Sequence, residues 1–249
     1  FLPGSSFLEK NGTFANAEGR ISRVRKVMAP KNGYEDWEST QMLSNALGYP
    51  MNYNHASEIM DEVAQLTPTF KGVSYEKLDK LESIQWPCND EFPEGTPTMH
   101  VDEFVRGKGK FFITEYVPTV EKVNGKFPLI MTTGRILAHY NVGAQTRRTK
   151  NSEWHDEDLI EIHPHDAEER GISESDWVGI NSRSGDTVLR AKITDRVQPG
   201  VVYTTFHHPV SGANVITTDN SDWATNCPEF KVTAVQVTKV TQPSNWQSK

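Results

Sequence analysis

The chain has almost no cysteine. Cys88 and Cys227 stand far apart with no C-x-x-C spacing, so they can build neither a disulfide framework nor a four-thiolate iron–sulfur cluster, and a reducing cytoplasm is the default setting. A basic excess is missing too. With 26 Lys and Arg against 33 Asp and Glu the net charge is −7, which argues against a general nucleic-acid binder, because duplex binding draws its affinity from surplus cations. A local basic pocket stays open. No apolar run approaches the roughly 20 residues needed to cross a bilayer, and no signal-peptide pattern opens the chain. There is no initiator Met: Phe1-Leu2-Pro3-Gly4-Ser5-Ser6-Phe7 starts as a strand-to-loop passage and is expected to belong to a longer polypeptide.

What is present is a polar stretch, Thr132 to Thr149, preceded by the apolar run Phe127-Pro128-Leu129-Ile130-Met131. A buried strand that delivers its end into Gly, Arg, His, Asn and Thr reads as a ligand cradle. Gly134 allows close approach or a positive φ, and Arg135, Arg147 and Arg148 carry forked, permanent charges suited to phosphate. A long surface loop with solvated arginines is the plainer alternative.

Before this stretch the pattern is mainly helical. Asn11-Gly12 is a hairpin signal that opposes Phe7-Leu8 to Thr13-Phe14. The alternation of Arg20, Arg23, Arg25 and Lys26 with Ile21, Val24 and Val27 predicts a solvated strand face. Helices are predicted over about 35–47, ended by Gly48, over 56–66 with Ile59, Val63 and Leu66 as the apolar stripe and Asn54 or Ser57 as cap, and over 75–81. Cys88, alone after Trp-Pro, reads as a small buried hydrophobe. Residues 89–110 form a linker; Gly107-Lys108-Gly109-Lys110 lacks P-loop spacing and leads into a strand, Phe111 to Val117.

After the polar stretch come short strands and tight turns: Leu159–Ile162, a helix from Pro164 to Arg170 stopped by Gly171, Trp177–Asn181, Thr187–Thr194 and Val201–Phe206. His163-Pro164-His165-Asp166 reads as a helix start before it reads as a metal site. His207 and His208, if in a strand, point apart. The tail after Val240 looks disordered unless docked on a partner.

The T-G-R-x-L-x-H-aromatic run with T-R-R after it resembles the segment opening the C-terminal domain of the large catalytic subunits of molybdopterin oxidoreductases. Asn16-Ala17-Glu18-Gly19-Arg20 is similar to an N-x-E-G-R element of the same family. The order of Gly48-Tyr49-Pro50, Tyr53, Glu58-Ile59, Pro68-Thr69-Phe70-Lys71-Gly72, Tyr75 and Ile84-Gln85-Trp86-Pro87-Cys88 resembles the α subunits of NAD-dependent, molybdenum- or tungsten-containing formate dehydrogenases.

The resemblance implies an α+β chain: the end of an α/β region with its linker over 1–125, a double-psi β-barrel over 126–243, and a tail over 244–249. It implies that Thr133, Gly134, Arg135, Ile136, Leu137, Ala138, His139, Tyr140, Asn141 and Val142, with Phe206, Asn214, Phe230 and Lys231, wrap one of two molybdopterin guanine dinucleotides. His139 would tune the pterin or simply hold the loop. The metal ligand and catalytic residues would lie upstream, so no catalytic or metal-ligating residue is assigned here. Taken alone, the chain is expected to show no turnover. Iron–sulfur clusters, FMN and NAD are expected elsewhere in a cytoplasmic assembly without membrane or nucleic-acid partners. Nitrate reductase, another molybdopterin oxidoreductase and a non-catalytic double-psi barrel module are the alternatives.

Overall fold

The computed structural model describes every residue except Phe1, Val105, Asn245, Ser248 and Lys249. It divides into two compact units, 1–112 and 113–249. Among the described residues no helix is long and apolar enough to cross a membrane.

In the first unit, strands β1 (Gly12–Ala15), β2 (Arg20–Val24) and β3 (Ser83–Gln85) form an antiparallel sheet. The hairpin turn is not Asn11-Gly12, because Phe7–Glu9 is a 3-10 turn and β1 pairs with β2 instead. The turn falls on Asn16-Ala17-Glu18-Gly19: the Asn16 side-chain oxygen accepts from the amides of Glu18 at 2.9 Å and Arg20 at 3.0 Å, and Gly19 takes φ +70°. An Asn side chain that stands in for backbone outcompetes the dipeptide signal.

Ile21 and Ile84 face each other in register and are buried on α3 (Tyr75–Leu81) and α2 (Ala56–Leu66). α1 (Asp36–Ala46) contributes only the flank of Trp37. Two details of α2 differ from expectation. Its cap is His55, whose Nδ1 accepts from the Ser57 amide at 3.1 Å, and its buried face is Ala56, Met60 and Ala64, while Val63 and Leu66 are exposed. Cys88 is fully buried. The basic run is neutralised locally, Arg23 and Arg25 by Asp79 at 2.8 and 2.7 Å and Lys26 by Glu35 at 2.7 Å.

The predicted strand at Phe111–Val117 does not form. The segment has no regular secondary structure, pairs with no strand among the described residues, and leaves Phe111 99% and Ile113 101% exposed.

The second unit is a closed six-stranded barrel in the order β4-β8-β5-β7-β6-β9. Its strands are β4 (Leu129–Gly134), β5 (Leu159–Ile162), β6 (Trp177–Asn181), β7 (Asp186–Ile193), β8 (Val201–Thr205) and β9 (Thr233–Lys239). Helices α4 (Pro164–Glu169) and α5 (Ala213–Ile216) add Ala167 and Ile216 to its core. Period-two alternation along β4 buries Leu129, Met131 and Thr133, and Ile160, Ile162, Val178, Ile180, Val202, Val235 and Val237 meet them in the core.

Gln247 of the tail docks on the barrel, contrary to expectation, while residues 245, 248 and 249 of the tail lie outside the described residues. The Gln247 amide bonds both backbone groups of Val188, at 3.1 and 2.8 Å, and the carbonyl of Val210 at 2.9 Å.

Candidate functional site

Strand direction alone gathers the site. β4 and β8 are parallel, with Gly134 opposite Thr205, so both release their loops at one end of the barrel. β9 is antiparallel to β4, with Met131 opposite Thr233, so the segment entering β9 arrives at that same end. Loop 135–142, loop 206–214 and segment 227–232 therefore converge.

Side chains then stitch them together. Lys231 Nζ donates to the Thr133 carbonyl at 2.7 Å, and Thr133 Oγ1 donates to the Phe230 carbonyl at 3.2 Å. The Arg135 guanidinium lies 5.2 Å over the Phe206 ring. Between them opens a cavity of about 580 Å³. Thr133, Arg135, Asn141 and Val142 line one side, Phe206 and Asn214 a second, and Phe230 and Lys231 a third. Cys227, Pro228 and Glu229 also line it. The wall thus offers two cations, two amides and two aromatic faces, a donor set for phosphate plus a flat heterocycle. At this volume it falls within the roughly 300–1,000 Å³ of small-molecule sites.

The remaining residues of the loop do other things. Gly134 is small because a Cβ there would meet Tyr203 Oη at 2.5 Å, and its φ is not positive; the left-handed glycine of the loop is Gly143, at φ +70°. The Ile136 amide donates inward, the Ala138 carbonyl accepts from Asn151 at 2.7 Å, and Leu137 and Tyr140 point into solvent.

His139 faces away from the cavity. Its Nε2 meets the carbonyl of His155 at 2.7 Å, which fixes the proton on Nε2, so Nδ1 accepts from the Thr146 hydroxyl at 2.9 Å. It holds the loop.

Beneath the loop lies a cluster that the sequence order conceals. His207 and His208 do not point apart, because they follow β8 instead of lying in it; both are buried, and their rings lie 5.7 and 5.2 Å from that of His139. His155 joins them, and Asp158, with no side-chain exposure, sits at the centre. Burial pushes the Asp158 carboxyl up, but the Thr205 hydroxyl and the amides of His208 and His207 outweigh it and hold it below the ordinary value. Burial pushes the His155 imidazole down, against the pull of Asp158.

His155 Nε2 and His208 Nδ1 approach Asp158 Oδ1 at 3.7 and 3.4 Å without bonding it. The three residues have the donors of a transition-metal site. Yet Oδ1, the oxygen both imidazoles face, already accepts from Thr205 and from the His207 amide, so neither of its lone pairs is left for an ion. His165, Asp166 and Glu169 form a second such group, but Asp166 is committed to the Gly200 amide at 2.7 Å, and the His163 ring caps α4 through the His165 amide.

Residues 129–234, the barrel and the loops that line the cavity, match the family model described as Molydopterin dinucleotide binding domain. Over nearly its whole length the chain is homologous to α subunits of formate dehydrogenases. It is 38% identical over 245 residues to F420-dependent formate dehydrogenase 1 subunit alpha of Methanococcus maripaludis, covering 96% of this chain and 36% of that one. It is 40% identical, with the same coverage, to the F420-dependent subunit alpha of Methanocaldococcus jannaschii. The chain thus spans about a third of the length of these relatives. Acetylene hydratase from Pelobacter acetylenicus shares the fold, with a TM-score of 0.71 at 14% identity over 96% of this chain and 38% of the other. The names of the formate dehydrogenase relatives overturn the expectation of NAD as electron acceptor, since both are F420-dependent.

Proposed function

We propose that this chain forms one wall of the cofactor site in the catalytic subunit of a molybdopterin-dependent formate dehydrogenase, where it grips a molybdopterin guanine dinucleotide. The observation that carries this reading is the convergence of Arg135, Lys231, Asn141, Asn214, Phe206 and Phe230 on one cavity from three separate segments. When bound, the cofactor supplies the metal–sulfur redox centre, with molybdenum or tungsten, for reversible oxidation of formate to carbon dioxide.

The chain's own residues bind and orient. Arg135, braced on Phe206, and Lys231, braced on the Thr133 carbonyl, oppose pyrophosphate charge. Asn141 and Asn214 present amides to a heterocycle edge, and the aromatic rings flank its face. The two parallel pairings, β4 with β8 and β5 with β7, support reading the barrel as double-psi.

Catalytic residues and cluster ligands belong to other parts of the assembly, as do an iron–sulfur route and a flavin. Cys88 and Cys227, both free, suit a cytoplasmic setting. The exposed Phe111–Val117 segment and the bare outer stripe of α2 are faces for the rest of the subunit.

In the intact polypeptide carrying this sequence, Arg135→Ala and Lys231→Ala are each expected to lower pterin dinucleotide retention about tenfold, the loss of roughly one charge-assisted bond. Formate-dependent dye reduction should fall with it. Unchanged pterin content in both variants, or turnover of nitrate in place of formate, would contradict the reading.

A further inference from the structure

His207 is fully buried under the loop that lines the cavity, and both of its ring nitrogens are used by that loop. The Ile136 amide donates to Nε2 at 3.1 Å, and Nδ1 contacts the Asn141 carbonyl at 2.5 Å. A backbone amide can only donate and a carbonyl can only accept, so the ring must carry its proton on Nδ1 and none on Nε2. The two contacts bracket the loop: one anchors it just after Arg135, the other at Asn141, which sits at φ +48° with its side chain on the cavity. Gly143 is pinned behind it, since a Cβ there would meet the His207 carbonyl at 2.6 Å.

We propose that His207, as the neutral Nδ1–H tautomer, is the positioning residue that holds loop 135–142 in its cofactor-gripping shape, and that protonating its imidazole releases the loop. This rests on the reading of the cavity as a dinucleotide site and adds regulation to it.

The chemistry is one of donor count. Protonated His207 has a hydrogen on Nε2, which then faces the hydrogen of the Ile136 amide, and the anchor beside Arg135 is lost. Several charged or titratable groups surround the ring. His139 and His155 approach it at 5.7 and 6.5 Å, Asp158 accepts from the His207 amide at 3.1 Å, and His208 follows in the chain. Arg147 packs beside Gly143 near the His207 carbonyl. Gln is the informative substitute, because its amide both accepts and donates but does not titrate.

The test is hydrogen exchange of the Ile136 amide in cofactor-stripped polypeptide carrying this sequence, read across pH and normalised to the intrinsic rate, with the Val202 amide of the barrel as an internal control. In the parent protein, protection at Ile136 should drop at least tenfold as pH is lowered while Val202 holds. In His207→Gln protection should be flat with pH, and in His207→Ala it should be low throughout. Protection that ignores pH in the parent, or survives in His207→Ala, overturns the proposal. Should the Val202 control fail in a variant, the parent series alone decides. Cofactor retention over the same pH series separates the two claims: exchange that follows His207 with retention that does not would overturn the role of the anchor in gripping the cofactor, whereas a parent that holds no pterin at any pH would refute the dinucleotide reading itself.

Discussion

Asp158 shows how much of the site rests on one buried carboxylate. Three groups donate to it from loop and strand, so it fixes the turn after β8 that presents Phe206 on one side and His207 on the other. Asp158→Asn should cost about 2–4 kcal/mol at neutral pH, the scale of charge-assisted bonds lost in a buried site, and denaturant melts would measure it. The pH signs follow from the two shifts. His155 is held below the ordinary 6.5, so the unfolded chain takes up its proton first and stability falls as pH drops below 6.5. Asp158 is held below 3.8; its contribution is whole above that value and is lost as pH falls through the folded carboxyl's own, lower titration. Stability measured against pH should show both losses, and His155→Ala should lack the first. None of this is legible in the sequence, where His155, Asp158, Thr205 and His208 are scattered polar residues with no recognisable spacing. Cys88 as a buried hydrophobe, by contrast, could be read from its isolation alone.

At the scale of elements, periodicity located β5, β6 and α3 at their observed bounds, and α2 as well although neither its predicted cap nor its predicted stripe is the one found. It failed where a side chain replaced backbone, at the Asn16 turn, and on α2, where the buried face is Ala56, Met60 and Ala64 and not the predicted stripe. Gly134 was legible as a close approach, but the neighbour is Tyr203 of β8, not a ligand. Gly134→Ala should cost about 1–3 kcal/mol through overpacking against that ring. In a Tyr203→Ala background the same change should cost much less, and a double-mutant cycle by thermal melts would show the coupling. Equal cost in both backgrounds would mean that Gly134 serves something other than the ring. Convergence of the three loops was not visible in any one segment, since it follows from the parallel β4–β8 and antiparallel β4–β9 pairings.

For the whole molecule, the chain covers about a third of its relatives and, among the described residues, carries exposed large apolar side chains, Phe111, Ile113 and Leu66 among them. Such surface is normally covered. Expressed alone, the 249-residue chain should bind a hydrophobic dye and self-associate in light scattering, whereas the longer polypeptide should do neither. The central claim is the dinucleotide grip, and one measurement reaches it directly: the pterin and guanine nucleotide released on denaturing the native polypeptide that carries this sequence, quantified per chain for the parent and for Arg135→Ala. Stoichiometric release of both from the parent, with a fall of about tenfold in the variant, is the predicted result. A native polypeptide that releases no pterin, or a variant that retains it in full, would contradict the account.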